Sequence, residues 1–552
     1  MIGQAARQVA ISLRAVGSVF SNPEVRKLQL AWTASSFALW SFAIALGVYA
    51  FNLGGAAAVG VAAMVRVLPG ALVSPIAGLI GDRHSRRAIL LGSSSLAAIA
   101  MGCAAAAAAA GTSEAIVFAL AGLVTIASSP YVPAEGALLP AVVRSPQELS
   151  AANVAHGAMD NLGFLAGATV SGVMLATTSP EAVFALAAAV SLIGALVLLR
   201  LQRDQRPSYA TATGTRGALH EIGRGLAILI ADRDLRLVGA ALTLLVLFEG
   251  AADVLVVIIA LDLLGLSDGS VGYLNAAWGI GALLAAAPLA LLLERGHLAA
   301  GLVSGCLIAG GAVTLPAIWT VPVAAYLAWA TLGVGYDFVE VAARTLLQRH
   351  GSDEVLARVL GTLETLRFAA LALGSIAAPA LVALFGIEGA LIALGAVLPL
   401  FALARWSALR SFEIGSPVKE THFRLLRANP IFAPLPVDAL ERLSRDVTPV
   451  EVAAGKEIIT QGEIGDSFYV IESGEVEVLE DGAFRRRESV GESFGEIALI
   501  HDVARTASVR ATTATTLLAL DRDHFLAAVT GHHRSHEAAA GIAEERLARR
   551  GR

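Results

Sequence analysis

Apolar residues run through the first three quarters of the chain in blocks of bilayer length, and then the blocks stop. A spanning helix needs about 20 apolar residues. Twelve such segments can be placed, near 28–51, 57–80, 88–111, 114–140, 152–177, 180–200, 236–264, 270–293, 298–316, 320–347, 357–385 and 386–409. Beyond them a helix is expected from 422, ending before Pro430, and another over 437–444. From Glu451 the period shortens to that of strands, over 456–459, 468–471 and 475–478. Gly455, Gly462, Gly465, Gly474, Gly482, Gly491 and Gly495 punctuate this region at turn-like spacing. Helical patterns return over 521–529 and 535–549. The pattern predicts an α-helical membrane protein of twelve spans, joined to a small α+β domain built on an antiparallel roll.

The seams between the apolar segments alternate in charge. Those at 52–55, 111–114, 177–181, 266–270, 319–322 and 386–389 carry no Lys or Arg. The others hold Arg83, Arg86, Arg87, Arg144, Arg200, Arg203, Arg206, Arg295, Arg349 and Arg358. Basic seams mark the cytoplasmic side, so both termini are expected in the cytoplasm of a multi-pass protein of the cell (inner) membrane. The longest seam divides the spans six and six, as parallel repeats would. Within it Leu219, Ile222, Leu226 and Leu229 recur at helical spacing, which predicts an amphipathic interfacial helix. The expected organisation is a cytoplasmic segment over 1–27, six-helix bundles over 28–201 and 236–409, a loop over 202–235, a linker over 410–422 and a cytoplasmic domain over 423–552.

Composition sharpens the split. The chain is 56% hydrophobic with a mean hydropathy of +0.70, yet 41 of its 85 Lys, Arg, Asp and Glu residues follow Trp406. The last quarter is therefore water-soluble in character. A net charge of -5 gives no basis for nucleic-acid binding. Cys103 and Cys306 both fall in apolar stretches and read as buried packing residues. No cleavable signal peptide is expected, since the first apolar run follows a polar lead-in.

The residues Gly78-Leu79-Ile80-Gly81-Asp82-Arg83-His84-Ser85-Arg86-Arg87, between the second and third segments, resemble the loop motif of the major facilitator superfamily. Ser85 replaces a usual Gly. A degraded copy appears as Glu294-Arg295-Gly296. The stretches 137–153 and 344–361 are similar to the exporter branch of that superfamily. The resemblance covers about three quarters of the chain. It implies two six-helix bundles rocking about a midplane site, with Gly78, Asp82, Arg83, Arg86 and Arg87 as a conformational latch. Setting topology is the alternative role for this basic loop.

Ionisable groups inside a bilayer are costly and usually face a cavity. The first half offers Arg66, Glu135 and Asp160; the second offers Glu249, Asp253, Asp337, Glu340, Arg344, Glu364 and Arg367. Glu249 and Asp253 are four apart and share a helix face. Two carboxylates so close cannot both ionise cheaply, which makes them a candidate proton carrier. Asp337, Glu340 and Arg344 also share a face, as do Glu364 and Arg367; these read as charge-paired seams. Protons and a small-molecule substrate are thus expected partners, besides the lipid bilayer.

The segment from Lys456 to Ile471 and the segment Phe494-Gly495-Glu496-Ile497-Ala498-Leu499, followed by Arg505-Thr506-Ala507-Ser508, resemble the cyclic nucleotide-binding family. Gly495 permits close backbone approach. The N–H groups of a short helix from Glu496 attract a phosphate, and the Arg505 guanidinium matches its oxygens. The resemblance implies that Glu496 accepts from the ribose 2′-hydroxyl. Ala498 and Ala507 keep the pocket tight; Ser508 adds a bond or faces its own strand. Thr506 can bond a guanine amino group, yet such a hydroxyl also occurs in cyclic AMP binders, so cAMP is favoured over cGMP by analogy. Phe525, Leu526, Ile542 and Leu547 are candidates to cap the base. Domains of this family often pair, which makes a homodimer a candidate assembly.

No nucleophile–base set, metal-ligand cluster or G-x-x-x-x-G-K-[ST] loop is recognisable, so no enzymatic activity is expected. The reading is a proton-coupled exporter of a small amphipathic molecule, regulated by a cyclic nucleotide. The alternatives are a lipid or lysolipid translocase, an exporter of the nucleotide itself, and a membrane-anchored receptor that transports nothing.

Overall fold

The computed structural model describes residues 20–83, 85–144, 146–201, 215–294, 297–350, 353–414, 420–435, 437–530 and 533–548. Two compact units divide between Arg410 and Ser411.

Among its described residues the first unit is helical apart from short connections. Its first half comprises α1 (Pro23–Arg83), α2 (Arg86–Ala109), α3 (Glu114–Ser128), α4 (Tyr131–Val142), α5 (Pro146–Thr177) and α6 (Pro180–Leu199). After α7 (Thr215–Ala231), the second half comprises α8 (Arg233–Ile258, continued by a π-turn over Ile259–Leu263), α9 (Gly269–Glu294), α10 (Leu298–Ile318), α11 (Pro322–His350) and α12 (Asp353–Ala404). Among the described residues, nine helical stretches are long and apolar enough to cross a membrane. Two of these, Pro23–Gly70 with 48 residues and Arg358–Ala404 with 47, are more than twice the length one crossing needs. Each is broken where only a glycine sits easily: at Gly55 (φ 60°) in α1 and at Gly386 (φ 72°) in α12. The nine do not include α11, whose apolar run is interrupted by Asp337, Glu340 and Arg344.

Within the first half α1 packs on α5 and α6, and α2 on α3 and α6; within the second, α8 packs on α12, and α10 on α11 and α12. The halves meet where α5 crosses α9 and where α1 crosses α8 and α12. Small residues set these crossings. A Cβ on Gly272 of α9 would sit 2.4 Å from the Cα of Gly172 of α5, and one on Gly60 of α1 would sit 2.4 Å from the Pro379 ring of α12.

Local details differ from expectation. The seam helix α7 buries Leu229 under Gly239 but leaves Leu226 exposed; residues 202–214 lie outside the described set. Cys306 is buried, whereas Cys103 is exposed on α2. The expected linker begins inside a helix, α13 (Trp406–Ile414), and its residues 415–419 also lie outside the described set.

The second unit is an α+β roll. Helices α14 (Glu420–Ala428) and α15 (Val437–Asp446) precede eight strands: β1 (Thr448–Val452), β2 (Glu457–Ile459), β3 (Ser467–Ser473), β4 (Val476–Glu480), β5 (Ala483–Glu488), β6 (Ser493–Phe494), β7 (Ser508–Ala511) and β8 (Thr515–Asp521). The strands form two four-stranded antiparallel sheets, ordered β1-β8-β3-β6 and β2-β7-β4-β5. A five-residue helix, α16 (Glu496–Ile500), interrupts the strands, and α17 (Arg522–Thr530) and α18 (His533–Ala548) follow them. Alternation in β4 buries Val476 and Val478 between the sheets with Ile459, Ile471, Phe494, Val509 and Leu517. A second core joins the helices to the first sheet around Phe432, Phe468 and Phe525.

Candidate functional site

The soluble unit folds around one arginine. The loop after β2 clasps the Arg505 backbone: Gly462 N–H donates to Arg505 O at 2.9 Å, and Arg505 N–H donates to Glu463 O at 2.8 Å. The side chain then turns inward and is 6% exposed. Its Nη1 donates to Gly495 O at 2.9 Å and its Nη2 to Ser467 O at 2.7 Å. A guanidinium has five N–H donors, so the fork keeps capacity for an anion. Burial pulls its pKa below the ordinary arginine value, and the charges of Tyr469, Asp466, Glu496 and Glu463 oppose that pull. The backbone must pass very near this group. Gly495 sits at φ 96°, and a Cβ there would stand 2.8 Å from Nη1; one on Gly465 would stand 2.9 Å from Cζ.

Arg505 forms one wall of a cavity of about 380 Å³, mouth included. Phe494, Gly495, Glu496, Ile497, Ala498, Thr506 and Ala507 line it, so the structure brings these expected residues together. Leu499 does not join them; it points from the opposite face of α16 into the helical core. Ser508 is also absent from the wall, because its Oγ accepts the Gln461 N–H at 3.0 Å and ties β7 to the β2 loop. The remaining wall is Ile459, Val478, Val509 and Arg486, the last held by a bond from its Nε to Glu488 at 2.9 Å. Of the capping candidates, Phe525 is fully buried and stacked on Phe468 at 4.6 Å, while Leu526 and Ile542 pack against the same core. The Leu547 side chain lies outside the described set.

In the membrane unit the ionisable residues sort into separate groups. Arg66 of α1 and Asp253 of α8 face each other across the two halves, Nη2 to Oδ2 at 3.7 Å. They line a cavity of about 480 Å³ whose other walls are mostly apolar, with Trp40, Gly47, Val59, Val257 and Asn275. Glu249 belongs to a different cluster. Tyr336 OH donates to it at 2.7 Å, and Arg367 Nη2 lies 3.7 Å away. Glu249 and Asp253 thus each face an arginine from a different helix. Arg344 bonds Glu340 one turn earlier and Glu364 across to α12 at 3.1 Å; with Arg367 these residues line a second cavity of about 350 Å³. Asp337 is half-buried on α11 and lines neither cavity. Glu135 is 1% exposed on α4, with Oε1 3.2 Å from His156 Nδ1 of α5. Asp160 follows His156 by one turn and lines neither cavity.

The loop motif is placed on the end of α1 and the start of α2. Ser85 caps α2 by accepting the Ala88 N–H at 3.1 Å, a role the usual Gly could not fill. Arg86 donates to Ala137 O, and Arg87 donates to Leu199 O at 2.5 Å. Both acceptors lie in the first half. The side chains of Asp82 and Arg83, and the surroundings of Gly78, lie outside the described set.

The family model of the Major Facilitator Superfamily matches residues 30–371. The chain belongs to the major facilitator superfamily. The model of the cyclic nucleotide-binding domain matches residues 449–532 of this superfamily member. A solved structure of a variant of the nucleoside transporter NupG aligns with a TM-score of 0.58 at 15% identity, covering 70% of this chain and 99% of that one, which is a likeness of fold. This chain is 34% identical over 119 residues to a cAMP-dependent protein kinase regulatory subunit of Yarrowia lipolytica. It is 40% identical over 117 residues to an uncharacterized protein of Mycobacterium tuberculosis. These matches cover 22% and 20% of this chain and 32% and 23% of those relatives. The chain is therefore a major facilitator superfamily member carrying a cyclic nucleotide-binding domain.

Several residues escaped the sequence reading as parts of these sites. Tyr336 and His156 are polar groups within apolar segments, and that signal was present. Arg486 sits in a run of three arginines that reads as solvated. Gly465 and Asn275 matter only through what the fold brings near them.

Proposed function

We propose that this transporter is a proton-coupled exporter of a small amphipathic molecule, and that a cyclic nucleotide, cAMP in preference to cGMP, regulates it. The observation carrying the transport reading is the Arg66–Asp253 pair, which joins the two halves at the wall of a largely apolar cavity. Rocking of the halves separates that pair. Asp253 then loses its compensating cation and takes a proton, and return of Arg66 expels it. Glu249, held by Tyr336 and Arg367, positions α8 in this scheme. The cavity suits a cargo with apolar bulk and one polar group.

Twelve passes with both termini in the cytoplasm complete the proposal. The breaks at Gly55 and Gly386 support two crossings each for α1 and α12, and α11 supplies one more. The basic seams support the orientation. The pocket around Arg505 supports a cyclic phosphate ligand, and the name of the Yarrowia relative favours cAMP. A pure receptor would have no need of ionisable groups in its membrane helices.

Proteoliposomes enclosing a pH-sensitive dye and supplied with a fluorescent amphipathic cargo test the scheme. Cargo movement should discharge an imposed proton gradient, and Asp253→Asn should abolish that coupling. Coupling unchanged in Asp253→Asn removes this carboxylate from the mechanism. Calorimetry of the whole protein with cAMP and cGMP tests the pocket; Arg505→Ala should eliminate binding of both.

A further inference from the structure

We propose that the first half of the membrane unit contains a second proton-binding site, the His156–Glu135 pair, distinct from Asp253. The inference extends the proton-coupled reading above, but it concerns other residues on other helices.

The argument begins with the partners of each buried carboxylate. Asp253 faces Arg66, Glu249 faces Arg367, and Glu340 and Glu364 face Arg344. An arginine stays charged under all physiological conditions, so each of these carboxylates faces a permanent counter-charge. Glu135 differs. It is 1% exposed, and its neighbour is an imidazole at 3.2 Å. Neither of its carboxylate oxygens makes a hydrogen bond of good geometry among the described residues. A charged carboxylate so placed is expensive when the imidazole is neutral.

The surroundings favour the charged imidazole. Trp32 of α1 lies over the His156 ring, centroids 4.8 Å apart with 22° between planes. An indole face attracts a cation. His156 is thus held between a carboxylate and an aromatic face, an arrangement matched to imidazolium. The titratable groups near the pair are Tyr131 on α4, one turn before Glu135, and Asp160 on α5, one turn after His156. From α1 come Trp32, Ser35 and Ser36, none of which carries charge. Among the described residues no lysine or arginine makes an ion pair with Glu135.

The step is a simple protonation. With a neutral imidazole the pair carries one negative charge. One proton from water forms an N–H bond on His156 and makes the pair neutral overall. Breaking that bond returns the proton to water. His156, whose side chain is 31% exposed, is the port; Glu135, at 2%, is the sealed counter-charge.

The test uses protons alone as the probe and needs no cargo. The full chain is reconstituted in liposomes on a solid-supported membrane, and a pH jump from about 8 to about 6 brackets the ordinary histidine value. If the two sites contribute equally, His156→Asn and Asp253→Asn should each remove roughly half of the displaced charge. The deciding variant is His156→Arg. It keeps a cation beside Glu135, so a purely structural pair survives it, but it cannot titrate. Normal thermal unfolding with loss of the His156 share of the charge supports the proposal. Wild-type charge displacement in a folded His156→Arg protein overturns it and leaves the Asp253 scheme standing. No displaced charge in the wild type overturns both.

Discussion

At the scale of the residue, the pocket around Arg505 depends on absent atoms as much as on present ones. Gly495 and Gly465 bring the main chain against the Arg505 guanidinium, where a Cβ would intrude at 2.8–2.9 Å. Gly495→Ala adds a methyl in a left-handed conformation, at a cost of about 1 kcal/mol, and also pushes on Nη1. A cyclic nucleotide should bind at least about tenfold more weakly to this variant, which is a change of about 1.4 kcal/mol. Calorimetry against cAMP checks it, and wild-type affinity would show that Arg505 has slack. Ser508 provides the contrast. Its hydroxyl serves the Gln461 N–H rather than the cavity. Ser508→Ala should therefore cost about 1 kcal/mol of stability in the soluble unit, with nucleotide affinity nearly unchanged. A large loss of affinity would instead place Ser508 on the ligand.

At the scale of the element, α17 shows how charge supports a helix start. Asp521 Oδ1 accepts the His524 N–H at 2.9 Å, and Oδ2 lies 2.7 Å from His524 Nδ1. These bonds to His524 lower the Asp521 pKa, and the bond to Asp521 raises that of His524. The histidine's contribution is complete below its unfolded value of about 6.5 and fades as pH rises through its higher folded value. The aspartate's contribution is complete above its unfolded value of about 3.9 and fades as pH falls through its lower folded value. The pair supports α17 most between those limits. Hydrogen exchange over 522–530 should be faster in Asp521→Asn than in the wild type near pH 5.5, and the gap should narrow above pH 8. A gap independent of pH would assign the effect to the cap alone. Such pairs were not legible in the sequence, whereas the elements largely were. The long apolar runs showed the membrane helices, because a bilayer enforces length. The strands β2, β3 and β4 followed from alternation and glycine spacing. The strand β5 did not, because three consecutive arginines hide its register. The pocket was legible at Gly495–Ala498 and Arg505–Ala507, where chemistry is local in sequence. Which way Leu499 and Ser508 face, and how the membrane charges group, were not legible, because helix face and cross-helix partners exist only once the fold is formed. Glu249 and Asp253 are the plainest case: one turn apart on α8, yet paired with arginines from different helices.

At the scale of the whole molecule, the question is what a cyclic nucleotide-binding domain does for a major facilitator membrane unit. A ligand shifts a conformational equilibrium only by its difference in affinity for the two states. If the nucleotide controls transport, occupancy at Arg505 and the orientation of the two halves are linked, and the linkage is reciprocal. Moving the halves from 1:99 to 99:1 would need about 5.5 kcal/mol of differential binding. A coupling of 1–3 kcal/mol is more usual and would change the equilibrium between the two orientations by roughly 5- to 150-fold. Reciprocity supplies the sharpest test, because it can be read without cargo. Trapping the halves should change the affinity of the Arg505 site. Gly172 packs on Gly269 and Gly272 with no room for a side chain, so Gly172→Leu should hold α5 and α9 apart and favour the opposite orientation. If sensor and transporter are coupled, cAMP affinity in this variant should differ from wild type by the factor by which saturating cAMP alters the balance of the wild-type halves. Arg505→Ala should leave transport at its nucleotide-free level whatever the cAMP concentration. Identical cAMP affinity in wild type and Gly172→Leu, together with transport indifferent to cAMP, would mean that the two units share a chain without sharing a free energy.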